Sequence, residues 1–133
     1  MQIVYNNELS LSPAEFVDVL VRSTLSERRP VSQPKIIKGM IEHASILVTA
    51  RHDGKLVGIS RAISDFSYCT YLSDLAVDRD YQGKGIGKEL IKQTHKIAGS
   101  ETSLILLAAP KAATYYPHIG MRKHDSCWLT DRD

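Results

Sequence analysis

The stretch Gln82-Gly83-Lys84-Gly85-Ile86-Gly87-Lys88 sets three glycines at alternate positions with two lysines among them. Residues of this kind suit phosphate chemistry. A glycine-rich turn that opens a helix aims several backbone N–H groups at one point. The helix dipole adds partial positive charge there, so the turn can hold a phosphate or pyrophosphate. Glycine permits positive φ and a close approach because it has no Cβ. A plain strand-to-helix turn would need only one, and each further glycine inside a helix costs about 0.8–1 kcal/mol. Spacing excludes two other phosphate loops. A P-loop requires glycine five residues before its Gly-Lys pair and a hydroxyl after it, where this chain has Gln82 and Glu89. The dinucleotide pattern G-x-G-x-x-G begins at Gly83 and Gly85, but Lys88 takes the place of its third glycine.

Other reactive side chains are scattered. The histidines stand at 43, 52, 95, 118 and 124, without metal-ligand spacing. His52 falls in a turn and His95 on a polar helix face, so both read as solvated, whereas His118 could line a cleft. Cys69 and Cys127 lack C-x-x-C spacing and read as reduced thiols. Arg28 and Arg29 share a polar loop, where two cations would favour an acceptor carrying a carboxylate or phosphate.

The elements that must position these residues follow from periodicity. Tyr71-Leu72-Ser73-Asp74-Leu75-Ala76-Val77 reads as the strand before the glycine turn. Ile86 to Ala98 reads as the helix after it, with Ile86, Leu90, Ile91, Thr94 and Ile97 on one face. Upstream, Gln2 to Tyr5 predicts a first strand. Ser12-Pro13 with Glu15 predicts a capping box and a helix that buries Phe16, Val17 and Leu20. Pro34 starts a shorter helix with Ile36, Ile37, Met40 and Ile41 inward. Ser45 to Ala50 and Leu56 to Ile63 predict a hairpin around His52-Asp53-Gly54-Lys55. Downstream, Ser103 to Ala109 reads as a fully buried strand, Lys111 to Ile119 as a short helix, and Cys127-Trp128-Leu129 as a last strand.

The pattern Q-x-x-G-x-G after a strand ending Leu75-Ala76-Val77-Asp78 resembles the acyl-coenzyme A loop of the GCN5-related N-acetyltransferases. Ala113-Thr114-Tyr115-Tyr116-Pro117-His118-Ile119-Gly120-Met121 is similar to that family's A-x-[FY]-Y-x-x-[ILV]-G-[FM] element. Together the two segments span roughly residues 71–122 of the chain. Many members carry an asparagine seven residues before the second aromatic, where this chain has Ala109.

The resemblance implies an α/β fold over residues 1–133 as one N-acetyltransferase domain. Its mixed sheet would have an antiparallel N-terminal meander, splayed central strands ending near Val77 and Ala109, and helices on both faces. It implies acetyl-coenzyme A as co-substrate, held by Leu75, Val77, Gln82, Gly83, Lys84, Gly85, Ile86, Gly87 and Lys88. The Val77 N–H would polarise the thioester carbonyl, Tyr116 would be the general acid, and Tyr115 would be core. No metal is needed. For the general base, Asp74 and Ser73 on the strand beside the thioester, Glu42 and water remain open. The acceptor would be a small-molecule or peptide amine; the competing reading is a non-catalytic acyl-coenzyme A-binding module that regulates a partner protein.

Composition bounds these readings. A chain of 133 residues, 43% hydrophobic and 24% charged, is large and apolar enough for a core. A net charge of +2 is too small to argue by itself for nucleic acid, and no nucleic-acid partner is expected. No apolar run approaches the ~20 residues that span a bilayer, and the first residues lack a secretion pattern. A cytoplasmic protein, a possible homodimer through an edge strand, is the expectation.

Overall fold

The computed structural model describes residues 1–133. Ser12 starts helix α1 (Pro13–Arg22): its hydroxyl accepts the Glu15 N–H at 3.1 Å, and Pro13 fits the first turn, where its missing N–H costs nothing. The predicted capping box is not closed, because the Glu15 carboxylate turns to Arg51 at 2.9 Å. Helix α2 (Pro34–Glu42) follows after a 3-10 turn at Leu25–Arg28. The sheet then runs through β2 (Ile46–His52), β3 (Lys55–Ser64) and β4 (Cys69–Val77), with β1 (Val4–Asn7) on the outer side of β2. Helix α3 (Ile86–Ala98) crosses to β5 (Ser103–Leu106), and a one-turn helix α4 (Tyr115–His118) comes after it. The strand order is β1-β2-β3-β4-β5, antiparallel up to β4 and parallel between β4 and β5.

Two apolar layers hold the sheet. Phe16, Val19 and Leu20 of α1 and Ile37 and Ile41 of α2 pack on Leu47, Leu56, Ile59 and Ala76. On the other face Ile86, Leu90 and Ala98 of α3 pack on Ile46, Val48, Ala50, Val57 and Ala62. Each fully buried Leu, Ile or Phe contributes about 1.5–3 kcal/mol. That packing, rather than propensity, stabilises α1, whose 10 residues are too few for an isolated helix. The inward face is narrower than periodicity suggests: Ile36 is 41% and Ile97 38% exposed, and Ala98 takes the buried position beside Ile97.

The sheet opens at one point. β4 pairs with β5 only from Cys69↔Ser103 to Leu72↔Leu106, although β4 continues to Val77. On the opposite side Arg61 pairs with Asp74 and Ala62 with Leu72, so Ser73 is an extra residue, a β-bulge. Beyond the bulge β4 has no neighbour on its β5 side. The expected splay of the central strands therefore begins at Ser73.

Three expectations are corrected here. β5 is an edge strand with alternate residues exposed, not a fully buried one: Ile105 is 54% exposed because neither helical layer reaches over it. An unbroken apolar run fits either environment, and only the neighbours decide. The predicted helix over 111–119 is a 3-10 turn at Pro110–Ala112 followed by α4. Cys127-Trp128-Leu129 forms no strand, and Trp128 is 91% exposed. These three apolar residues are flanked by polar and charged ones, too short a run to recruit a partner strand.

Candidate active site

Where β4 and β5 part lies a cavity of about 930 Å³. Leu75, Ala76 and Val77 form its floor, and the glycine turn from Gln82 to Lys88 forms one wall. Tyr115, Tyr116, His118 and Ile119 close another side, and residues from Ser23 to Arg28 supply the rim next to Lys111.

Backbone polarity on the floor follows from strand register. The Asp78 N–H donates to the Val57 carbonyl at 2.8 Å, and Ala76 lies opposite Ile59. Alternate residues of an antiparallel pair point their N–H and C=O groups to opposite sides. The N–H groups of Leu75 and Val77 thus point away from β3, into the gap that β5 has left. The Val77 carbonyl points the same way and accepts the Gln82 side-chain amide at 3.1 Å. Gln82 thereby folds the turn back onto the end of its own strand.

The turn is held from behind. Asp78 caps the 3-10 turn Arg79–Tyr81 by accepting the Asp80 N–H at 2.9 Å, and it pairs with Arg22, which also donates to the Leu56 carbonyl at 2.6 Å. Burial acts to raise the Asp78 pKa, but the Asp80 N–H and the Arg22 guanidinium outweigh it and keep the carboxyl below its usual value. Gly83 and Gly85 take φ of +76° and +81°, the left-handed region that side chains resist. The first intrahelical donor of α3 is the Glu89 N–H, which bonds to the Gly85 carbonyl at 3.1 Å. The amides of Ile86, Gly87 and Lys88 precede it and converge at the helix start.

Gly87 answers a close approach of another kind. A Cβ there would lie 2.7 Å from the Tyr115 hydroxyl. Tyr115, expected in the core, instead reaches over the first turn of α3 and packs edge-on against Tyr116 at 5.3 Å between ring centres. Burial raises the pKa of both phenols, and the neighbouring Tyr115 adds to the shift at Tyr116. Tyr116 is therefore a neutral phenol at physiological pH.

The cavity gathers Tyr116, Leu75, Val77, Gln82, Gly83, Gly85, Ile86, Gly87 and Lys88, and leaves two expected site residues outside. Lys84 is exposed on the outer side of the turn. Asp74 is fully buried beneath the floor. One of its oxygens takes Arg61 Nε at 2.5 Å and the other takes Arg29 Nε. Arg29 also donates to the Ser73 carbonyl at 2.8 Å, and Arg61 to the Ser73 hydroxyl at 2.9 Å and the Met40 carbonyl at 3.3 Å. Both Asp74 oxygens are engaged by guanidinium groups, and the residue has no face on the cavity. Glu42 is outside the cavity as well, paired with Lys38 at 3.7 Å on α2. The two-cation reading of Arg28 and Arg29 is likewise halved, since Arg29 is bound to Asp74 and only Arg28 lines the cavity.

The histidines also differ from expectation. His52 Nδ1 lies 2.9 Å from the Tyr81 hydroxyl, and His95 Nε2 lies 2.7 Å from the Thr102 carbonyl, so neither is simply solvated. No group of three or more His, Cys, Asp or Glu side chains gathers as a metal ion requires. No helix is long and apolar enough to cross a membrane. Sequence reasoning missed Glu27, which lies in a polar loop with no spacing signal, and the hydroxyl of Tyr115.

A mixed sheet parted over a glycine-rich helix start, with helices on both faces, defines the class of α/β fold. Residues 14–121 match the model of the Acetyltransferase (GNAT) family, and the chain belongs to that family. It is similar to an uncharacterized N-acetyltransferase of Gracilaria tenuistipitata var. liui, 33% identical over 109 residues, which cover 80% of this chain and 56% of that protein. The chain spans about half the length of the curated relatives it matches first. Its fold is similar to that of a protein of unknown function from meticillin-resistant Staphylococcus aureus (TM-score 0.80, 16% identity, covering 99% of this chain and 100% of that one). A GNAT family acetyltransferase from Streptococcus pneumoniae TIGR4 is similarly close (TM-score 0.76, 16% identity, 98% and 100%). At such identities the likeness establishes the fold.

Proposed function

We propose that the chain transfers the acetyl group of acetyl-coenzyme A to a primary amine, by direct attack within a ternary complex. The observation that carries this reading is the meeting, in one cavity, of two outward-pointing strand amides, the free first amides of helix α3 and a neutral phenol. The cavity fits the co-substrate on its own chemistry. The amides of Ile86, Gly87 and Lys88 suit a pyrophosphate, and the space a Cβ would need at Gly87 is already taken by Tyr115. Bound acetyl-coenzyme A supplies a thioester-activated acetyl group.

The residues have separable roles. The free N–H groups of Leu75 and Val77 are placed to hold the pantetheine arm and to donate to the thioester oxygen. A fixed donor of that kind is worth about 3 kcal/mol in the transition state. Tyr116 would donate its phenolic proton to the departing thiolate and would be reprotonated from water. The amine must lose a proton before it attacks. Asp74 and Glu42 do not line the cavity, so of the acceptors weighed for that proton water is the one we assign.

The test is acetyl-coenzyme A turnover against a panel of small-molecule and peptide amines, followed by free thiol release, with Tyr116→Phe in parallel. Release that depends on an amine and falls in the variant supports the reading. Tight coenzyme A binding with no transfer to any amine would overturn it in favour of a regulatory acyl-coenzyme A-binding module.

A further inference from the structure

An alkylamine is almost wholly protonated near neutral pH, so an acceptor approaches as a cation and meets the charged groups of the rim first. Glu27 is the only acidic residue that lines the cavity; the other charged residues there, leaving His118 aside, are Arg28, Lys88 and Lys111. Lys88 belongs to the first turn of α3, which leaves Glu27, Arg28 and Lys111 on the rim.

Glu27 is presented by an anchored segment. It lies in the 3-10 turn Leu25–Arg28, and the next residue, Arg29, is fastened to the buried Asp74 and to the Ser73 carbonyl. The connection between α1 and α2 is thus tied to the same bulge at which the sheet opens. Glu27 also already holds an alkylammonium. Lys111 reaches it from the Pro110–Ala112 turn, with Nζ 3.8 Å from the carboxylate. Lys111 is 86% exposed and has no other ionic partner, and Glu27 is 66% exposed. A single exposed contact of this length is weak and readily exchanged.

Resting on the acetyl-transfer reading above, we propose that Glu27 is the acceptor-specificity residue and that Lys111 occupies its place until a cationic acceptor displaces it. The amine that attacks must be neutral, so the group held by Glu27 is a second ammonium on the same molecule. The preferred acceptor is an alkyl chain with two amino groups: one is acetylated at the floor and the other is paired at the rim. Exchange of Lys111 for this ammonium conserves the charge at Glu27. It also releases the bridge between the two sides of the rim, which widens the entrance as the acceptor enters.

The experiment measures calorimetric binding of 1,5-diaminopentane and of pentylamine to the full chain saturated with coenzyme A. Wild type is expected to bind the diamine about fivefold more tightly than the monoamine, at the upper end for one exposed ion pair. Glu27→Gln leaves Arg28 and Lys111 as an unopposed cationic rim, and should abolish or reverse that preference, with the diamine losing more affinity than pentylamine. Lys111→Ala removes the internal competitor and should strengthen diamine binding several-fold. A preference that survives Glu27→Gln, weaker diamine binding in Lys111→Ala, or no diamine binding at all overturns the proposal. Coenzyme A carries no acetyl group, so the preference is read whether or not transfer occurs. Failure of every amine to turn over with acetyl-coenzyme A would count against the catalytic reading instead.

Discussion

Tyr116 and Gly87 carry the most specific expectations at the scale of single residues. Tyr116→Phe should leave the fold intact and lower kcat at least about 10-fold, the low end of what a general acid supplies. The pH profile separates that role from packing. Burial raises the phenol above its ordinary value of about 10. A reaction that needs the protonated form should therefore stay active to beyond about pH 10, losing rate only above it. In Tyr116→Phe this alkaline limb should vanish from the profile. At Gly87 the close neighbour is the Tyr115 hydroxyl, 2.7 Å from the place of a Cβ. Gly87→Ala should push the Tyr115 side chain away from the turn and weaken coenzyme A binding several-fold. Tyr115→Phe removes the offending oxygen, so the double variant should recover most of that loss in a titration with coenzyme A. No recovery would mean that the tyrosine does not shape the turn.

The element that organises the site is the distal half of β4, from the bulge at Ser73 to Val77. Its free amides exist only because β5 stops at Leu106, and its course is set by the Arg29–Asp74–Arg61 cluster beneath. Asp74 is the sole carboxylate between two guanidinium groups in that cluster. Removing its charge leaves them uncompensated in a buried place, which typically costs about 3–5 kcal/mol. Asp74→Asn should therefore lower the unfolding free energy by about that amount in urea titrations. A general base at this position would behave differently, with unchanged stability and a lost acidic limb in the rate profile. Glu42→Gln should change neither stability nor rate appreciably, because it breaks only an exposed pair with Lys38.

Whole-molecule stability depends on pH through carboxylates whose pKa the fold depresses. Hydrogen bonds from Arg51 are the largest influence on Glu8, followed by burial, which opposes them, and by the Thr49 hydroxyl. Asp78 is lowered, against burial, by the Asp80 N–H and Arg22. A folded-state pKa below the unfolded one adds stability that is fully present above the unfolded value, about 4, and is lost as pH falls through the folded value. The urea midpoint should therefore be flat near neutrality and drop below about pH 4. Asp78→Asn should reduce the slope of that decline, and an unchanged slope would place the acid sensitivity elsewhere. Glu8 pairs with Arg51 on β2 and Asp78 with Arg22 on α1, and Arg22 also donates to the carbonyl of Leu56, the residue opposite Arg51, so both pairs fasten the hairpin end of β2 and β3.

What the sequence by itself determined was whatever depends on near neighbours in the chain. Helix α3 runs over Ile86–Ala98 as its periodicity requires. The cap at Ser12 and the glycine turn are also legible, because a turn, a cap and an amphipathic face each record their geometry within a few residues. The pairing of β5 at an edge and the position of Tyr115 over Gly87 were decided by tertiary structure. So were the burial of Asp74 between two arginines and the presence of Glu27 on the cavity rim. In each case the deciding contact joins residues far apart in the chain, such as Asp74 and Arg29. A carboxylate in a strand looks the same in sequence whether it faces a substrate or a guanidinium, and only the fold chooses its partner.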